Sequence, residues 1–317
     1  MTTTLRTLHV SLNPELGGGE KQVLALVEGS RKRGVDARLV ALRDGPCFRA
    51  ARERALPVEG IKPFFRYDPI SIARLSRWIE RDEPHVVHLH DGGAAAIGVS
   101  AANATGVPAI VHRRIASPFR RGWLSGWKRD PSRVARFIAV SEVVASVLRE
   151  AGIPERAIAV VPSGIDVAAL ASTRPSPDLE RLAPSSPRIA TVAKLAPKKG
   201  VDVVLEAFAR IAREIPEARL LVVGEGPEEA ALRAKATGLG LEGRAVFTGS
   251  RSDVPAIVAG LDLFLFGSER EGSPGAVREA MALGVPVVAV AAPGTVEVLG
   301  DAGATVPIGD AAALADA

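Results

Sequence analysis

Leu261–Val290 reads LDLFLFGSEREGSPGAVREAMALGVPVVAV. An apolar run, Leu261–Phe266, has the composition of a buried strand. Gly267–Pro274 follows with glycine, serine, proline and three charges, a loop. A pattern of helical period opens near Gly275, and Val285–Val290 is a second apolar run. Strand, loop, helix and strand in about thirty residues make a βαβ unit, whose two strands must run parallel. Ligands of open parallel sheets bind beyond the carboxyl ends of the strands, and the next helix points free N–H groups at them. Glu269, Glu271, Ser273, Pro274 and Gly275 all fall in that loop. Glu279 lies about one turn into the helix, where its carboxylate suits sugar hydroxyls better than phosphate.

The same alternation extends in both directions. Strands are expected at Leu5–Val10, Ala37–Leu42, His85–His90, Ala109–Val111, Phe137–Val140 and Ile158–Val161, with helices at Lys21–Arg33, Ile70–Arg81 and Val143–Ala151. Ala168–Pro187 is rich in proline and serine and reads as a linker. Strands resume at Ile189–Val192, Leu220–Val223, Ala245–Thr248 and Ala304–Pro307. The expectation is therefore α/β, with domains at 1–167 and 188–317 joined by 168–187. GDAAALADA at the end starts a helix without a C-cap, so a C-terminal portion is expected to be missing.

The 317 residues are 47% hydrophobic and 24% charged, with a formal net charge of +4. One cysteine, Cys47, excludes an internal disulfide and suits a reducing cytoplasm. MTTTLRTLHVSLN lacks the charged and apolar regions of a signal peptide, and no apolar run reaches the ~18 residues of a membrane span. The chain reads as cytoplasmic, with the inner membrane face as a candidate seat.

Thr191–Gly200, TVAKLAPKKG, places Lys194 and Lys199 beyond a strand end, as cations for an anionic ligand. VVGEGP holds Glu225, and VFTGS leads into Arg251. Asn13–Glu20, NPELGGGE, sets Gly17, Gly18 and Gly19 where the backbone can approach a ligand closely. Glu20 is favoured there by the helix dipole. His88 and His90 share a strand face, but a metal would need a third ligand, and none is apparent. His112 ends the next strand. No Asp-x-Asp motif occurs.

These features together resemble glycosyltransferase family 4, of the GT-B fold. The resemblance implies two Rossmann-like, doubly wound parallel-sheet domains facing a cleft, with the donor site in the second. It matches the family's two glutamates to Glu271, near the donor sugar, and Glu279, on the nucleotide ribose. It places Ser273, Pro274 and Gly275 against sugar and phosphate. Lys194 and Lys199 clamp the diphosphate, although Lys194 stands where the family has arginine and lacks its fork. The loops of Glu225 and Arg251 frame the nucleobase. Gly17–Glu20 reaches the donor, and His112 faces the reacting sugar beside Glu271. The activity implied is retaining and metal-independent, with the nucleotide-sugar as co-substrate and no cofactor.

Arg113, Arg114, Arg120, Arg121, Trp123, Trp127 and Lys128 form a basic segment with aromatic anchors. It suits an anionic membrane surface or a lipid-linked or glycan acceptor, as in bacterial lipopolysaccharide or envelope glycan synthesis. The tryptophans fit a core equally well, and no nucleic-acid motif accompanies them. Two other readings stay open: a nucleotide-sugar epimerase of the same architecture, and a catalytically silent protein at the membrane surface.

Overall fold

The computed structural model describes residues 4–118, 130–184 and 187–317. It divides at Ser163/Gly164 into two units. The first contains strands β1 (Arg6–Ser11), β2 (Asp36–Leu42), β3 (Val58–Ile61), β4 (Val86–Leu89), β5 (Ala109–Arg113), β6 (Arg136–Ala139) and β7 (Ile158–Val160). Its helices are α1 (Gly18–Lys32), α2 (Pro46–Glu53), α3 (Pro69–Asp82), α4 (Gly92–Ala104) and α5 (Glu142–Glu150). The second opens with two short helices, α6 (Val167–Ala171) and α7 (Leu179–Leu182). Then β8 (Arg188–Val192), α8 (Val201–Glu214), β9 (Arg219–Val223), α9 (Glu229–Gly238), β10 (Ala245–Gly249) and α10 (Val254–Val258) follow. β11 (Leu263–Phe266), α11 (Gly275–Ala282), β12 (Val287–Val290), α12 (Pro293–Leu299), β13 (Ala304–Val306) and α13 (Ala311–Asp316) complete it.

The sheet orders are β3-β2-β1-β4-β5-β6-β7 and β10-β9-β8-β11-β12-β13. Each strand pairs parallel with its neighbours. Strands buried on both faces explain the apolar runs: Leu220, Leu221, Val222 and Val223 are all core residues. In each sheet the order reverses once, between β1 and β4 and between β8 and β11. Loops leaving the two central strands diverge there and open the crevice in which such sheets take ligands.

Residues 168–187 are not a linker. Leu179 and Ala183 are buried among Val254, Ile257, Phe264 and Val277. Ser176 Oγ donates to Asp253 at 2.9 Å, and Arg251 binds Asp178 at 2.9 Å. Proline and serine supply the look of a linker, while a four-residue helix is too short to show a period. The boundary falls ahead of this stretch, which belongs to the second unit.

Candidate functional site

In the second unit, the loops after β8 and β11 meet at the switch point. Lys199 Nζ lies 2.8 Å from Glu271 Oε1, and Ser268 Oγ donates to the same oxygen at 2.7 Å. The backbones are pinned as well: Glu269 N–H donates to the Lys198 carbonyl at 3.0 Å. Gly200 and Gly267 make this approach feasible. A Cβ on Gly200 would stand 1.8 Å from the Gly267 carbonyl oxygen, and one on Gly267 would stand 2.1 Å from the Gly200 carbonyl oxygen. Gly200 also has φ +61°.

Two further loops join. Leu195 N–H donates to the Glu225 carbonyl at 3.0 Å, and Gly294 at the start of α12 packs directly on the Glu271 backbone. The lysine of the first loop and the glutamate preceding α11 are thus in contact at this helix start. Pro274 caps α11 and Gly275 begins it, leaving its first N–H groups without intrahelical acceptors. Glu279 is half-buried in the helix; Lys194 and Glu225 are exposed on their loops.

Arg278 had no part in the sequence reading. Its Nη1 donates to the Ser273 carbonyl at 3.2 Å and to the Ser273 hydroxyl, fixing the loop before α11. Burial lowers its pKa, opposed by the neighbouring Glu279 carboxylate. Arg251 bonds to Asp253 and Asp178, and these hydrogen bonds raise its pKa.

In the first unit, the corresponding strand ends carry four histidines. β1 places His9 opposite His88 of β4, His90 follows β4, and His112 lies on β5. Arg114 closes the group. Its Nη1 donates to the His90 carbonyl at 3.0 Å, and its Nη2 contacts Nδ1 of His90 at 3.1 Å and of His112 at 3.3 Å. A guanidinium only donates, so both Nδ1 atoms accept and both protons sit on Nε2. His90 Nε2–H then donates to His9 Nδ1 at 3.0 Å, and His9 Nε2–H to Thr7 Oγ1 at 3.1 Å. His88 Nε2–H donates to the shared His112 Nδ1 at 3.2 Å. One cation therefore sets the tautomer of the whole group. The His112 Nε2–H is buried without a hydrogen-bond partner among the described residues.

His9, His88 and His90 bring ligand nitrogens within 4.8 Å of one another. His9 is thus the third imidazole whose apparent lack spoke against a metal. Of these nitrogens, His9 Nδ1 and His90 Nε2 are bonded to each other, and His88 Nε2 to His112 Nδ1.

Burial, then the charge of Arg114, lowers His9 to about 4 and His112 to about 3. Burial also takes His88 to about 2 and His90 well below its usual value. Each imidazole takes up a proton in the unfolded chain near pH 6.5 but stays neutral in the folded one. Their contribution to stability is therefore complete above pH 6.5 and is lost as pH falls toward 4, at up to ~1.4 kcal/mol per pH unit per group. Urea unfolding from pH 7.5 to 4.5 should show this slope, with His88→Asn reducing it by about one proton. A flat profile would contradict the buried neutral state.

Glu20 is buried and accepts from Asn13 Nδ2 at 2.8 Å and from Gly17 N–H at 2.9 Å. Its carboxylate satisfies the N–H of the Gly17 N-cap and so shapes the Gly17–Gly19 turn. A Cβ on Gly18 would meet nothing within 4 Å, whereas Gly19 packs on Arg114. Asp91 caps α4 and ties Leu12 N–H at 2.6 Å.

Arg114 is thus not a member of a surface patch. It turns inward, and burial draws its pKa to about 10 against the pull of Glu20 and Asp91. Arg113 is also half-buried and donates to the Ser117 carbonyl. Counting basic residues could not separate such cations from solvated ones. Arg120, Arg121, Trp123, Trp127 and Lys128 lie outside the described residues.

The family described as Glycosyltransferase Family 4 matches residues 16–169, and Glycosyl transferases group 1 matches residues 186–317. The phosphatidyl-myo-inositol mannosyltransferase of Mycobacterium leprae (strain TN) is 31% identical over 95% of this chain and 82% of its own length. The chain belongs to glycosyltransferase family 4. An Escherichia coli relative, UDP-Gal:alpha-D-GlcNAc-diphosphoundecaprenol alpha-1,3-galactosyltransferase, is 25% identical over 90% of this chain and 79% of its own. The crystal structure of Anabaena HepE in complex with UDP and glucose superposes with a TM-score of 0.83. It covers 98% of this chain and 88% of that one at 23% identity, a likeness of fold. This glycosyltransferase thus has the GT-B architecture of two parallel-sheet domains.

Proposed function

We propose that the enzyme moves a sugar from a nucleoside diphosphate to an acceptor hydroxyl, with retention of configuration and without a catalytic metal. The contact between Lys199 and the Glu271 loop, at the start of α11 and the β8/β11 switch point, carries this reading. As the glycosidic bond breaks, positive charge spreads over the sugar and negative charge gathers on the departing diphosphate. Lys199, Lys194 and the α11 N-terminus answer the second charge electrostatically. Glu279 receives the ribose hydroxyls. Retention follows when the acceptor enters from the side on which the diphosphate leaves, its proton passing to a diphosphate oxygen. His112 offers its unpaired Nε2–H to an oxygen of the transferred sugar.

The acceptor is taken to be lipid-linked or an envelope glycan. Two relatives are named for lipid-borne acceptors, phosphatidyl-myo-inositol and diphosphoundecaprenol. Among the described residues no helix is long and apolar enough to cross a membrane. The inner membrane face is the proposed workplace.

Screening UDP-, GDP- and ADP-sugars by thermal shift, then analysing products with lipid-linked acceptors, tests the reading. One donor class should raise the melting temperature, and its sugar should appear on the acceptor with retained configuration. Interconversion of the donor without an acceptor would instead identify an epimerase. Binding without any turnover would leave a silent protein.

A further inference from the structure

Arg278 is the one cation of α11, and its setting is not that of a surface arginine. The helix buries Val277 and Ala280 in the core, and Ala276 and Met281 pack against it. Arg278 lies between them in the chain, half-buried, and its Nε–H is buried without a hydrogen-bond partner among the described residues. A guanidinium taken out of water is costly unless an anion answers its charge. Two other arginines of this unit have such an anion: Arg188 is paired with Glu180 at 2.5 Å, and Arg251 with Asp253 at 2.7 Å. Arg278 instead bonds to neutral oxygens, the carbonyl and hydroxyl of Ser273. The carboxylate that acts on it is Glu279, its chain neighbour, and burial outweighs that pull.

Nη1 is engaged by Ser273, while Nη2 lies at the start of α11, 3.8 Å from where a Cβ on Gly275 would stand. Nothing in the backbone demands glycine at this position, since its φ is not positive and a Cβ would make ordinary contact there. A longer side chain would lie against the guanidinium. Glycine leaves Nη2 open toward the helix start where the donor sugar and diphosphate are proposed to sit.

We propose that Arg278 receives a carboxylate carried by the donor sugar, so that the sugar transferred is a uronic acid. This rests on the donor site proposed above and names the substrate class that site takes. Nη2 and the unbonded Nε–H form one edge of the guanidinium, the pair of parallel donors that fits a carboxylate. The C6 hydroxyl of a neutral hexose would leave one of those donors without an acceptor and would bring no charge. A phosphate would suit the same edge. The diphosphate, however, is met in that reading by Lys199, Lys194 and the first N–H groups of α11, which leaves Arg278 for a second anion.

Titration calorimetry on the full chain tests it with donors that differ only at C6: glucose against glucuronate on UDP or ADP, and mannose against mannuronate on GDP. In the nucleotide class that binds, the wild type should take the uronate about 10- to 100-fold more tightly than the neutral sugar. Arg278→Gln can still donate to Ser273 but carries no charge. It should lose that preference while binding the neutral sugar and the free nucleoside diphosphate as the wild type does. Arg278→Lys should keep a weakened preference. A wild type that binds the neutral sugar as tightly as the uronate would overturn the proposal, whatever the variants do. So would an Arg278→Gln variant that keeps the preference. An Arg278→Gln variant that weakens uronate, neutral sugar and free diphosphate alike would overturn it too, since the guanidinium would then serve the diphosphate. Each of these results leaves the donor site standing, whereas a chain that binds no nucleotide-sugar at all would remove the donor site and this proposal with it.

Discussion

Arg114→Met should lower kcat by about 10²- to 10³-fold while changing the KM for the donor only a few-fold. Where a catalytic imidazole loses the partner that fixes its tautomer, losses reach ~10⁴. Here the partner is a cation that donates to both His90 and His112. Without it, nothing compels the His112 proton to remain on Nε2, and His88 can become acceptor rather than donor across their shared contact. The population of the Nε2–H form, which we propose binds the sugar, then falls. Methionine keeps much of the side-chain length that packs on Gly19. The histidines that Arg114 contacts all lie in the first unit, so the donor loops of the second keep their own bonds in the variant. Arg114→Lys retains the charge but not the fork, and should fall between wild type and Arg114→Met. Nitrogen-15 NMR of the imidazoles supplies a reading that a merely structural role would leave unmoved: wild-type His112 should be the Nε2–H tautomer and the methionine variant a mixture. An unchanged kcat, or an unchanged His112 tautomer, would remove Arg114 from this role.

Strands were the legible part of this chain. Runs such as RLLVV are nearly all apolar because parallel strands are covered on both faces, so β9 lies within a residue of where the composition puts it. The short β3 was hidden, since VEGI has one glycine and one charge among four residues. α4 was hidden for the opposite reason: residues 94–99 are buried all round, and a helix without a polar face has no amphipathic period. The loops after β8 and β11 could be placed because each follows an apolar strand run that the composition marks. The histidine group could not. His9 and His88 are far apart in sequence and meet only through the order β1-β4, which the one-dimensional pattern does not contain. The inward turn of Arg114 has the same origin, for its acceptors include a residue that follows a different strand.

Lys199→Ala should lower kcat/KM by about 10²- to 10³-fold and abolish the donor-induced thermal shift, while barely moving the melting temperature of the free enzyme. The two halves of this expectation have separate causes. In the free enzyme Lys199 is paired with Glu271, but its side chain is one-third exposed, and such pairs contribute at most ~1 kcal/mol. Glu271 also keeps its bond from Ser268 at 2.7 Å when the lysine is removed. With donor bound, the balance changes. A diphosphate brings more negative charge than one carboxylate, so Lys199 turns toward it and Ser268 holds Glu271 in place. Charge then builds further on the diphosphate as the sugar leaves, so the lysine matters more at the transition state than in the ground state. Removing one preorganised donor of this kind costs about 10² to 10³ in rate. Glu279→Ala should abolish the thermal shift by a different route, through the lost ribose contact. If both variants kept an undiminished shift with the preferred nucleotide-sugar, the donor would have to bind somewhere other than the β8/β11 switch point.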